Sequence, residues 1–120
     1  MLNSYQQLTV WQKSIDLVAE IYRLTNLFPK SEVYGLASQL RRAAILIPSN
    51  IAEGYTRKHR LEYIQFIRVA FGSGAELETQ LLIAQKLKLA SPDEFKKSND
   101  LLTEVMKMLN KLINSLVAKP

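Results

Sequence analysis

Leu102, Val105, Leu109, Leu112 and Leu116 recur at steps of three, four, three and four residues. On a helix of about 3.6 residues per turn, that spacing lines one face with apolar side chains, and the face has to be covered by something. Three earlier segments carry stripes of the same period. From about Leu8 to Phe28 the stripe is Val10, Leu17, Ile21, Leu24 and Phe28; from about Glu32 to Gly54 it is Leu36, Leu40, Ala43, Ile47 and Ile51. From about Lys58 to Leu89 it is Ile64, Ile67, Phe71, Leu77, Leu81, Ala84 and Leu87. Four one-sided helices in 120 residues cover one another most simply as an all-α, up-down-up-down four-helix bundle, a single domain over residues 1–120.

Punctuation between the stripes agrees with this reading. Thr9 and Gln12 have the spacing of a capping box, and Pro29 disfavours helical backbone at Phe28. Gly54 suits the left-handed residue that closes a helix. In Ser91-Pro92-Asp93-Glu94, serine fits an N-cap, proline the first helical position, and the two acids the positive end of the helix dipole, which predicts a last helix over 92–118. β-branched residues alternate with polar ones over no useful length, so strands are not expected.

Pro48 lies inside the second stripe. It lacks the N–H that would bond to the Ala44 carbonyl, at a cost of about 3 kcal/mol. Because Ile47 and Ile51 continue the stripe across it, the expectation is a kinked helix held by packing on both sides. On the same helix Ile45 and Leu46 fall away from the core stripe, which suits a subunit interface. In the third helix Gly72 and Gly74 each cost about 1 kcal/mol relative to alanine. Close packing within the subunit, an intersubunit crossing and a local bend all account for them.

Charge is unevenly placed. The net charge is +5, yet residues 41–68 alone hold Arg41, Arg42, Arg57, Lys58, Arg60 and Arg68 against Glu53 and Glu62. Locally concentrated basicity is what a surface for a polyanion requires. Arg41 and Arg42 admit a second role, pairing with Glu76 or Glu78 on the adjacent helix.

The chemistry of catalysis is sparse. Cysteine is absent, which removes disulfides, thiolate nucleophiles and zinc-thiolate sites. The single histidine, His59, sits among basic residues. No Glu-x-x-His pair occurs, and Glu76 and Glu78 point about 200° apart on a helix, so a bundle-type di-metal site is not expected. The GSG at 72–74 has neither the lysine nor the spacing of a P-loop. We therefore expect no enzyme, no metal and no cofactor. No apolar run approaches the roughly 18 residues of a membrane span, and the N-terminus has no secretory pattern, so a cytoplasmic location is expected.

Three blocks carry a resemblance: LTVWQKSIDLVAEIY in the first helix, SQLRRAAILIPSNIAEGYTR in the second and GSGAELETQL in the third. Together they resemble the bacterial 23S rRNA intervening-sequence proteins, a four-helix-bundle family, over essentially the whole chain. Leu46 departs from the small polar residue often found there. The resemblance implies a ring of five subunits. It also implies an association with ribosomal RNA genes and, through a related branch that serves diversity-generating retroelements, with RNA and reverse transcriptase.

The resulting expectation is a non-enzymatic oligomer that binds RNA through Arg41, Arg42, Arg57, Lys58, Arg60 and Arg68, with His59 and Tyr55 stacking on unpaired bases. A scaffold that recruits a nucleic-acid enzyme such as a reverse transcriptase is the alternative.

Overall fold

The computed structural model describes residues 4–119; the ends of the expected domain, residues 1–3 and 120, lie outside it. Among the described residues there are four long α-helices and no strand: α1 (Thr9–Thr25), α2 (Leu36–Tyr55), α3 (Arg60–Lys86) and α4 (Lys96–Val117). α1 packs against α2 and α4, and α3 packs against the same two, giving a body of 49 × 21 × 20 Å. Each stripe read from the sequence supplies the centre: Leu17, Ile21 and Leu24, then Leu40, Ile47 and Ile51, then Ile67, Leu77 and Leu81, then Val105 and Leu109 are fully buried in one cluster. Burial of these side chains, each contributing about 1.5–3 kcal/mol, is what holds the helices together.

Helix ends are where the sequence patterns mislead. α1 begins after Leu8 with no side-chain cap; Gln12 instead donates through Nε2 to the Gln6 carbonyl at 2.8 Å. It stops at Thr25, three residues before the expected end, and Phe28 turns inward to meet Phe95 at 6.2 Å between ring centroids. A short 3-10 turn, Lys30–Glu32, precedes α2. The Ser91-Pro92 signal opens a 3-10 turn, Pro92–Phe95, and α4 proper starts at Lys96. Buried Phe95 anchors that turn.

The third helix ends at Lys86 without a glycine. Lys88 takes the left-handed conformation at φ 57, and the Leu89 N–H reaches back to the Ala84 carbonyl at 3.1 Å. This is the hydrogen-bond pattern that usually recruits glycine.

α2 runs unbroken through Pro48, which is buried between fully buried Ile47 and Ile51. Asn50 adds a side-chain bond to the Leu46 carbonyl at 2.7 Å, one turn away. The expected left-handed cap at Gly54 is incorrect. No glycine among the described residues has positive φ, and α2 continues to Tyr55. Gly54 is required for a different reason: a Cβ there would lie 2.7 Å from Phe66 Cβ and 3.1 Å from Tyr63 Cδ1. It lets α2 and α3 approach closely beside their connecting turn.

The two glycines of α3 separate in the same way. A Cβ on Gly74 would collide with Met106 Sδ of α4, which makes Gly74 a packing residue within the chain. A Cβ on Gly72 would meet nothing within 4 Å.

Candidate nucleic-acid interface

The basic residues of 41–68 do not form one cluster. Arg41 and Arg42 sit in the first half of α2, beside the last turn of α1. Arg57, Lys58 and His59 occupy the turn between α2 and α3, Arg60 opens α3, and Arg68 projects from α3 two turns further on. Along α2 the two groups are roughly 20 Å apart, at 1.5 Å per residue.

At the turn the charges are partly engaged. Arg57 pairs with Glu53 at 2.9 Å and lies over the Phe66 ring at 4.8 Å. Arg60 donates to the backbone carbonyl of Lys119, which brings the chain's C-terminal end to the start of α3. Lys119 thereby joins Arg57, Lys58 and Arg60 at one end of the molecule, a neighbour no local pattern announces. Lys58 and His59 are exposed. Tyr55, expected as a stacking residue, is half-buried edge-on against Tyr63 at 5.9 Å. Burial raises the Tyr63 phenol to about 12, with Tyr55 adding to the shift.

The suggested pairing of Arg41 or Arg42 with Glu76 or Glu78 does not occur. Arg41 lies on the flank of α2 that faces α1, not α3. Its guanidinium donates to Thr25 Oγ1 at 2.8 Å and Asn26 Oδ1 at 2.9 Å, and covers the Tyr22 ring at 4.6 Å. Glu76 instead accepts from Gln80 at 3.4 Å within its own helix, and Glu78 is exposed. Among the described residues no ion pair involves Arg41, Arg42, Lys58 or Arg68.

Between α1 and α2 the surface is concave. Around Arg41 and Arg42 lies a cleft of about 530 Å³ that also reaches Tyr22, Tyr34, Ser38 and Ile45. Ile45 divides it from a second hollow of about 310 Å³ walled by Trp11, Ile15, Val18 and Pro48. Ile45 is exposed and Leu46 half-buried, so of the two proposed contact residues only Ile45 stands clear of the protein.

A contrasting cluster, unsuspected from the sequence, joins α1 to the start of α4. The Glu20 side chain is only 3% exposed, and it accepts three bonds from Arg23, at 2.9 and 3.0 Å from Nε and 2.6 Å from Nη2. Arg23 also reaches Glu94 at 3.4 Å, and Ser98 and Lys97 flank Glu20 from α4. The hydrogen bonds from Arg23 hold the Glu20 carboxyl below its usual range against the opposing effect of burial. The only sequence signal was a Glu and an Arg three residues apart beside an apolar stripe.

Among the described residues no three His, Asp or Glu side chains gather to hold a metal ion, and no helix is long and apolar enough to cross a membrane. These features define an all-α protein of four helices, with no built metal centre among the residues described. The chain belongs to the 23S rRNA-intervening sequence protein family, whose sequence profile matches residues 6–111. Its fold is similar to that of a protein of unknown function from the S23 ribosomal protein family of Bacteroides thetaiotaomicron VPI-5482. The TM-score is 0.81 at 22% identity, covering 88% of this chain and 98% of that one. No curated protein sequence matches the chain.

Proposed function

We propose that the protein is a non-enzymatic, cytoplasmic RNA-binding oligomer that needs no cofactor. The observation that carries this reading is the state of its arginines and lysines. Arg42, Lys58 and Arg68 are exposed and lack an acidic partner among the described residues, and Arg41 is held by neutral acceptors alone. An exposed cation without a counter-charge is available to a phosphate, whereas Arg57 first has to leave Glu53. The family's association with ribosomal RNA sequence points the same way.

In this reading the four helices run up, down, up and down, and α2 bends at Pro48. Support for the alternating directions comes from contacts that join the end of α1 to both the 3-10 turn just before α4 and the first half of α2. Ile45 and Leu46, together with the Trp11, Ile15 and Pro48 hollow, form the subunit contact, and five subunits close a ring. Repetition then multiplies a modest basic face into a multivalent one.

Fluorescence anisotropy with a labelled single-stranded RNA at low salt tests the binding. Replacing Arg42, Lys58 and Arg68 together by glutamate abolishes it in this account; unchanged binding by that variant, or none by the native chain, contradicts the account. Light scattering should return five times the mass of one chain. An Ile45→Asp change should lower that mass.

A further inference from the structure

We infer that the cleft around Arg41 and Arg42 is a nucleotide pocket, which takes one unpaired base of a single-stranded nucleic acid together with the phosphate next to it. This rests on the nucleic-acid reading above and goes further by assigning a base-binding site, at the opposite end of α2 from the turn that carries Lys58.

Four features of the cleft specify the ligand. First, its walls are both apolar and cationic: Tyr22, Val33 and Tyr34 face the same space as two guanidiniums, beside Ile45 and Leu46 of the proposed subunit contact, and no carboxylate lines it. A bare inorganic anion has no use for the aromatic surface, and an uncharged apolar ligand leaves the charge of the guanidiniums uncompensated. Second, Arg41 is already oriented. Thr25 Oγ1, Asn26 Oδ1 and the Tyr22 face fix its planar fork without cancelling its charge, so little ordering remains to be done when an anion arrives. Third, Arg42 is exposed and bonds to no described residue, which leaves its whole fork for a phosphate. Fourth, Tyr34 is 97% exposed. An aromatic ring that packs on nothing in its own chain is costly to hydrate and is the ordinary platform for an unpaired base.

Size agrees with the chemistry. A cleft of about 530 Å³ falls in the usual range of roughly 300–1,000 Å³ for small-ligand sites. Ser38 adds a hydroxyl on the cleft wall, able to donate to or accept from a base edge.

The test compares three probes of about ten nucleotides, a length within the usual site size for single-strand binders: oligouridylate, oligothymidylate, and an abasic deoxyribose-phosphate strand of the same charge. Anisotropy titrations at low salt are run on the native chain, Tyr34→Ala, Arg42→Ala and Lys58→Glu, with light scattering on each. The native chain should prefer oligothymidylate over its abasic counterpart by about tenfold, the scale of one stacked base. Tyr34→Ala should remove most of that preference while leaving abasic affinity and oligomer mass unchanged. Arg42→Ala and Lys58→Glu should weaken every strand, with the base preference surviving in Lys58→Glu.

Equal affinity of the native chain for the base-bearing and abasic strands overturns the pocket and leaves the phosphate-binding account standing. So does a preference that survives Tyr34→Ala. A changed mass in Tyr34→Ala also overturns it, because the cleft is then a subunit contact. Failure of every probe to bind overturns both proposals.

Discussion

Two arginines meet the last turns of α1 in opposite circumstances. Arg23, on α1 itself, is paired with the carboxylates of Glu20 and Glu94 and ties α1 to the turn that leads into α4. Arg41, reaching over from α2, finds a hydroxyl, an amide oxygen and an aromatic face, and no acid. The first arrangement consumes the charge in holding the fold. The second orients the charge and leaves it uncancelled. Local sequence distinguishes them poorly, since both arginines lie on amphipathic helices close to an apolar stripe; the difference arises from what the neighbouring helix places opposite.

The comparison breaks first at Glu20. Glu20→Ala removes a buried carboxylate from a charge-assisted set, but Arg23 is 45% exposed and recovers part of the loss in water. The expected destabilisation is about 2–3 kcal/mol in a denaturant melt. A loss under about 0.5 kcal/mol, the range of an ordinary surface change, makes the cluster incidental.

Acid should expose the same cluster. The folded Glu20 carboxyl titrates below its ordinary value of 4.5, so its contribution to stability is complete above that pH. The contribution is lost as pH falls through the lower, folded value. Denaturant midpoints measured downward from pH 5 should therefore fall more steeply for the native chain than for Glu20→Gln. Parallel curves contradict the assignment.

On the other side of α1, Arg41→Ala should cost about 1 kcal/mol, the scale of neutral hydrogen bonds. Arg42→Ala should change stability by less than about 0.5 kcal/mol. Both should weaken RNA binding. If Arg41→Ala destabilises the protein as much as Glu20→Ala does, Arg23 and Arg41 are not different in kind.

The effect at Gly72 has the opposite sign. With open space where a Cβ would stand, Gly72→Ala should stabilise the chain by up to about 1 kcal/mol through helix propensity. A loss of stability, together with a lower oligomer mass, would reveal a neighbouring subunit packed on that glycine.

Much of the fold was legible because burial has a period. Leu102, Val105 and Leu109 announce their common face by spacing alone, and the same holds for Ile47 and Ile51 on either side of Pro48. Ends were less legible. Lys88 closes α3 in a conformation that local preference assigns to glycine, and Gly54, which resembles a cap, serves a helix contact instead. Both outcomes are decided by tertiary packing. The candidate site was legible only as composition: the basic residues could be named from the sequence, but not that Arg41 turns toward Thr25 or that Arg60 reaches Lys119. Glu20 meets Ser98 across 78 residues of chain, a pairing outside the reach of any local pattern. Tyr34 gave no signal, because a loop aromatic reads as a core residue until its exposure is known.

The salt dependence of binding to a single-stranded RNA tests the central claim most directly. If uncompensated guanidiniums and lysines hold phosphates, the logarithm of the binding constant falls linearly with the logarithm of salt concentration. The slope should be roughly −0.7 per phosphate contact, and shallower by about that amount for each of Arg42 and Lys58 replaced by alanine. A flat dependence, or a slope indifferent to those replacements, contradicts the account.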